Sequence, residues 1–160
     1  MELFSERAER TIVGRILLDN TLIDELSIYC DLEDFHALLT KKTIVAMTEI
    51  GVRDGQFSFI TLCEHFHNNP DYIRFLTDCQ LNAIDPFKES AQIVRERADM
   101  RRLVEAANKV LETCYDPDKP FQAKLELSHD LMLNAVQKKT DSLKDSKDVK
   151  IKVDVDPIVI

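Results

Sequence analysis

From Phe87 to Asp116 the chain contains no glycine and no proline. This uninterrupted run constrains the fold more than any other feature, because either residue would weaken or end a helix. Asp85-Pro86 opens the run, with a capping side chain ahead of a proline at the first helical position. The pattern predicts one helix of about 28 residues. Tyr115-Asp116-Pro117-Asp118-Lys119 is turn chemistry, and Pro120 opens a return helix to about Lys139. Two such helices joined by a short turn make an antiparallel hairpin.

The preceding residues are helical too. The whole chain of 160 residues has 3 Gly and 5 Pro, which favours an all-α protein. Ser5, followed by Glu6 and Glu9, starts a helix whose apolar face is Ala8, Ile12, Val13, Ile16 and Leu17. Gly14 interrupts that helix and is expected where another helix comes close. Asp19-Asn20 ends it and caps a short second helix through Leu22, Ile23, Leu26 and Tyr29. A third is expected from about Asp34 to Val52, with Phe35, Leu38, Leu39, Ile44, Val45, Met47 and Ile50 inward. Arg53-Asp54-Gly55 is a turn, a fourth helix starts at Ser58 or Thr61 and ends at His67-Asn68, and Asn69-Pro70 starts a fifth. The expected organisation is a small helical bundle over residues 1–92, the hairpin over 93–139, and a flexible, strand-like tail over 140–160. In that tail VKIKVDVD alternates strictly, so Val149, Ile151, Val153 and Val155 form an apolar row. A lone strand in a helical protein is expected to order only against a partner's sheet edge.

Charge and motif content exclude several functions. Residues 1–97 carry 10 basic and 17 acidic side chains, residues 98–140 carry 7 of each, and residues 141–160 carry 4 and 5. No segment supplies the positive field that duplex binding requires, so no direct nucleic-acid binding is expected. No glycine-rich phosphate loop, GxSxG elbow or HExxH is present. Cys63-Glu64-His65-Phe66-His67 is the one metal-like cluster, but on a helix only Cys63 and His67 share a face, and two ligands do not close a site. Catalytic residues, metals and cofactors are therefore expected to be absent. Cys30, Cys63, Cys79 and Cys114 have no zinc or redox spacing, and no signal peptide or membrane span is written, so a reducing cytoplasm is expected.

The hairpin is more informative. Arg95, Arg97, Arg101 and Arg102, interleaved with Glu96, Asp99 and Glu105, read as a solvated face rather than a nucleic-acid grip. Met100, Val104, Ala107, Leu111 and Cys114 step by four and three, the spacing of a two-helix seam, and Leu103, Ala106 and Val110 widen the stripe. On the return helix, Phe121, Leu125, Leu127, Leu131, Met132, Ala135 and Val136 cover about half the circumference. A two-helix hairpin cannot bury that much alone, so the remainder faces the bundle or another chain, the second being favoured. The candidate interaction residues are Arg97, Met100, Arg101, Leu103, Val104, Ala107, Val110, Leu111, Phe121, Leu125, Leu131 and Met132.

Ala8-Glu9 followed by Val13-Gly14-Arg15-Ile16-Leu17-Leu18-Asp19-Asn20 resembles the opening of DnaB-type replicative helicase N-terminal domains. Asp34-Phe35-His36, Phe59-Ile60-Thr61-Leu62, Ile93-Val94-Arg95-Glu96-Arg97-Ala98 and Cys114-Tyr115-Asp116-Pro117 resemble later family segments in order. The likeness runs from residue 5 to about 138. It departs where the family's Gly-Gly is missing around Asn69 to Tyr72, and beyond Thr140, where a strand-like end replaces a linker helix. The resemblance implies a helical bundle whose hairpins pair between subunits into a collar that docks primase. The family's ATPase domain has no counterpart in these residues. The expectation is a non-enzymatic replication factor that binds a replicative helicase or primase to regulate, recruit or inhibit it, as a homodimer or higher oligomer through the hairpin. The alternative is the N-terminal collar portion of a complete ATP-dependent helicase. A small enzyme with an unrecognised carboxylate site is the third reading.

Overall fold

The computed structural model describes residues 2–135. The last expected residues of the return helix, Val136 among them, and the tail row Val149, Ile151, Val153 and Val155 lie outside the described residues. Within them all regular structure is helical: α1 Glu6–Leu18, α2 Leu22–Tyr29, a 3-10 turn Leu32–Asp34, α3 Leu38–Asp54, α4 Phe59–His65, α5 Pro70–Leu81, α6 Phe87–Tyr115, and a return helix, α7, over residues 121–135. The chain forms two compact units, one reaching to Ala98 and the other beginning at Asp99.

Local chemistry explains most boundaries. Ser5 caps α1, accepting the N–H of Ala8, and Ser58 caps α4 in a reciprocal box with Thr61. Asn69 accepts the N–H groups of Asp71 and Tyr72 ahead of Pro70. Gly55 ends α3 with a left-handed φ of 83°. His67 and Asn68 also take left-handed φ, 58° and 53°, in the short α4–α5 turn, where the N–H of Asn68 reaches the carbonyl of Cys63. These two residues make the tight turn without glycine, at a steric cost that glycine avoids.

The first unit's core gathers Ile12, Val13 and Ile16 of α1, Met47 and Ile50 of α3, Leu62 of α4, and Leu76 and Cys79 of α5. Each fully buried aliphatic side chain contributes about 1.5–3 kcal/mol. α1 packs most extensively against α5. Gly14 permits this: a Cβ there would lie 2.1 Å from the Cys79 carbonyl oxygen and 2.8 Å from the Ala83 Cβ. The Thr11 hydroxyl donates to the carbonyl of Asn82, and Arg15 donates to those of Ile84 and Asp85.

Three expectations are corrected. The third helix does not begin at Asp34. The 3-10 turn ends there, Phe35 is buried in extended backbone, and the N–H groups of His36 and Ala37 go to the buried carboxylate of Glu9 at 3.0–3.2 Å. With the helix starting at Leu38, Leu38, Leu39 and Val45 are exposed rather than inward. Asp85 spends its carboxylate on Arg7, at 2.7 and 3.1 Å, instead of on the first amides of α6. Arg53 and Asp54 remain inside α3, so the turn begins only at Gly55.

Candidate protein-interaction surface

The second unit contains the hairpin turn and its two arms. At the turn, the Asp116 carboxylate accepts the N–H of Asp118 at 2.9 Å and pairs with the Lys119 ammonium at 2.6 Å. That side-chain bond to Lys119, with the backbone one to Asp118, holds the Asp116 carboxyl below its ordinary pKa. Lys124, on the return helix, donates to the Cys114 carbonyl near the end of α6. The turn is thus closed by short polar contacts, as expected where Asp and Pro cluster.

Inside the hairpin, Ala106 is buried, with Arg102, Val110 and Thr113 half-buried on the same side of α6. On the return helix Ala123, Lys124, Ser128, Leu131 and Ala135 are half-buried. This is the internal seam. The row Met100, Val104, Ala107, Leu111 and Cys114 is not. Met100 is half-buried, whereas Val104, Ala107, Leu111 and Cys114 are exposed, Leu111 at 55%. The four-three spacing therefore marks an outer stripe, and Ala106 carries the inner one because its small side chain allows close packing. Leu103 is exposed as well. On the return helix Phe121, at 76%, Leu125 and Met132 lie four and seven residues apart, in a second outer stripe. Leu127 and Leu133 are exposed too, off that stripe, and the candidate residues had left both out.

The arginines divide differently from the expectation of one solvated face. Arg95 is buried, at 8% exposure, and donates to the carbonyl of Tyr29 at the end of α2. Arg97 donates to the carbonyl of Glu2. Arg101 and Arg102 are half-buried, Arg102 3.7 Å from Asp99, and Lys109 pairs with Glu105 at 3.0 Å. Arg95 thus anchors the chain end of α2, where unpaired helix carbonyls need donors.

The remaining sequence candidates lie at the end of α4 and in the turn that follows it. Cys63 is buried, and desolvation pushes its thiol pKa up. His65 stands edge-on to Phe66, and His67 makes the left-handed turn. Among the described residues no three His, Cys, Asp or Glu side chains gather into a metal-binding group. No helix among them is long and apolar enough to cross a membrane.

Sequence motifs now gain a physical meaning. Glu9 ties α1 to the segment before α3. Asn20 accepts the N–H of Phe57 at 3.0 Å and donates to the carbonyl of Ile16. Asp34 accepts the N–H of Asp31. These are the polar stitches of a particular helical bundle. Residues 1–112 match the family of DnaB-like helicase N-terminal domains, and the chain belongs to that family. A replicative DNA helicase DnaB from Buchnera aphidicola subsp. Baizongia pistaciae is 30% identical over 138 residues, which is 81% of this chain and 30% of the relative. The chain therefore spans under a third of that relative's length. The crystal structure of the N-terminal domain of DnaB helicase from Mycobacterium tuberculosis superimposes with a TM-score of 0.68 at 19% identity, covering 84% of this chain and 99% of that one. The shared all-helical fold is that of the domain at the helicase's N-terminus.

Proposed function

We propose that this chain is a non-enzymatic DNA-replication protein of the collar type, acting through its hairpin in a cytoplasmic setting. The outer stripes pair with a second copy or a related hairpin, and the assembly binds a replicative helicase or primase to regulate, recruit or inhibit it. The observation that carries this reading is the exposure of Leu103, Val104, Leu111, Phe121, Leu125 and Met132 on the hairpin, where so broad an apolar surface calls for a partner. Arg97, Arg101, Met100, Ala107, Val110 and Leu131 would flank or support the contact. Sedimentation should show association that Leu111→Glu abolishes, losing several kcal/mol as apolar burial is replaced by a desolvated carboxylate. A monomer at high concentration that binds neither purified helicase nor purified primase would show the idea to be wrong. The chain by itself should not turn over ATP.

A second reading has its own support. The curated relative is a replicative DNA helicase, of which this chain matches 30%. On that reading these residues are the collar portion of an ATP-dependent helicase, mediating oligomerisation and primase binding. The coding sequence beyond Ile160 discriminates: a phosphate-binding loop downstream selects the helicase, and a stop codon selects the accessory protein.

A further inference from the structure

A crevice of about 260 Å³ opens at the start of α3, between α1 and α5. Leu38, Leu39 and Phe75 line it with apolar surface, and Leu38 is 64% exposed. Two polar features of this place are left incomplete. The first is the N-terminus of α3, whose first-turn amides have no acceptor within the helix. Ala37 supplies no capping side chain there, and Glu9 takes only the N–H groups of His36 and Ala37, ahead of the helix. The second is Thr40, which lines the same crevice at 1% exposure and whose hydroxyl finds no hydrogen-bond partner among the described residues. A buried hydroxyl without a partner is costly, and a native one calls for an explanation.

We propose that this crevice receives the C-terminal end of a partner protein's helix. One aliphatic or aromatic side chain enters between Leu38, Leu39 and Phe75, and the last-turn carbonyl oxygens of the partner face the α3 amides and the Thr40 hydroxyl. A helix C-terminus carries orphan acceptors and partial negative charge, which complement the orphan donors and partial positive charge at the start of α3. A fully charged anion suits the crevice less well, because Glu6 and Glu9 also line it and Arg10 is already paired with Glu6 at 2.7 Å. Two rotamers are open to a helical threonine, so the hydroxyl can turn toward an incoming acceptor. This assignment stands apart from the hairpin reading and survives its failure.

The test uses the full chain, isotopically labelled, and an alanine-rich helical peptide ending in Leu-Leu-amide as the probe. Saturable shifts confined to the amides of Leu38, Leu39 and Thr40 are expected. A peptide ending in Ala-Ala-amide should bind about tenfold more weakly, since the apolar side chain is lost. Thr40→Val should weaken the leucine peptide several-fold while raising the thermal midpoint of the free protein, a combination that a merely damaged fold would not give. Equal binding by the two peptides, shifts spread over the surface, tighter binding by a carboxylate-ended peptide, or undiminished binding to Thr40→Val would each overturn the proposal.

Discussion

The two units spend the same kind of residue in opposite ways. In the first, Ile12, Ile16, Leu62 and Leu76 vanish into a core shared by several helices. In the second, Val104, Leu111, Phe121 and Leu125 sit on two helices that meet along a single seam, of which Ala106 is the buried residue among those described. A helix pair has one mutual face, so any further apolar stripe must stay outside. The bundle converts its aliphatic content into stability, and the hairpin holds its own in reserve. The contrast teaches that burial, not hydrophobicity, separates residues that fold this chain from those available to a partner.

The sharpest way to break the contrast is a matched pair of truncations. Leu76→Ala should cost about 2–5 kcal/mol in urea unfolding, because a buried cavity is left behind. Leu111→Ala, measured on dilute monomer, should stay within about 0.5 kcal/mol of the parent. Equal losses would mean that the hairpin stripe belongs to a core after all.

Next in size comes Gly14→Ala, with a loss of about 3 kcal/mol expected from overpacking against rigid backbone. The added methyl meets a carbonyl oxygen that cannot rotate away. A substitution on the hairpin that also adds a single carbon, Val104→Ile at an exposed position, should be nearly silent in the same assay. Indifference of the bundle to Gly14→Ala would show that α1 and α5 do not meet so closely.

A smaller effect of opposite sign is expected at the α4–α5 turn. His67→Gly removes a side chain from left-handed backbone and should stabilise the bundle by up to about 1 kcal/mol, less the extra freedom given to the unfolded chain. Thermal unfolding measures it, and a clear loss of stability would mean that the turn is unstrained.

The smallest effect belongs to the hairpin turn. Asp116 has its pKa lowered in the folded state, so its contribution is present above the ordinary aspartate range and disappears as pH falls through the folded value. The Asp118 amide should lose hydrogen-exchange protection in acid below the point where free aspartate titrates. Protection lost at the ordinary aspartate pKa would argue against the Lys119 contact.

Much of this was legible in the sequence, and for stated reasons. Ser5, Ser58 and Asn69-Pro70 act on their own neighbours, so their caps could be read from a few residues. The long α6 followed from an absence of breakers. What escaped depends on distant partners. Nothing near Phe35 says that Glu9, on another helix, will claim the next two amides and delay α3 to Leu38. Arg95 looks solvated beside Glu96, yet it reaches the end of α2. The outer stripe of α6 was read as a two-helix seam and as an interaction surface at once, because periodicity shows that residues share a face but not what the face meets. The hairpin surface could be anticipated in extent, and its occupant could not.

Thiol placement gives the hairpin stripe a covalent side. Cys30, Cys63 and Cys79 are buried and so shielded from oxidants, and desolvation pushes the Cys79 pKa up to about 12. Cys114 alone of the four is exposed, in register with Leu111 and Ala107. Air oxidation therefore has one accessible sulfur per chain and can join only separate chains. Stored without reductant, the protein would accumulate a cross-linked pair, and the yield of that pair would count how often two hairpins come together near their turns.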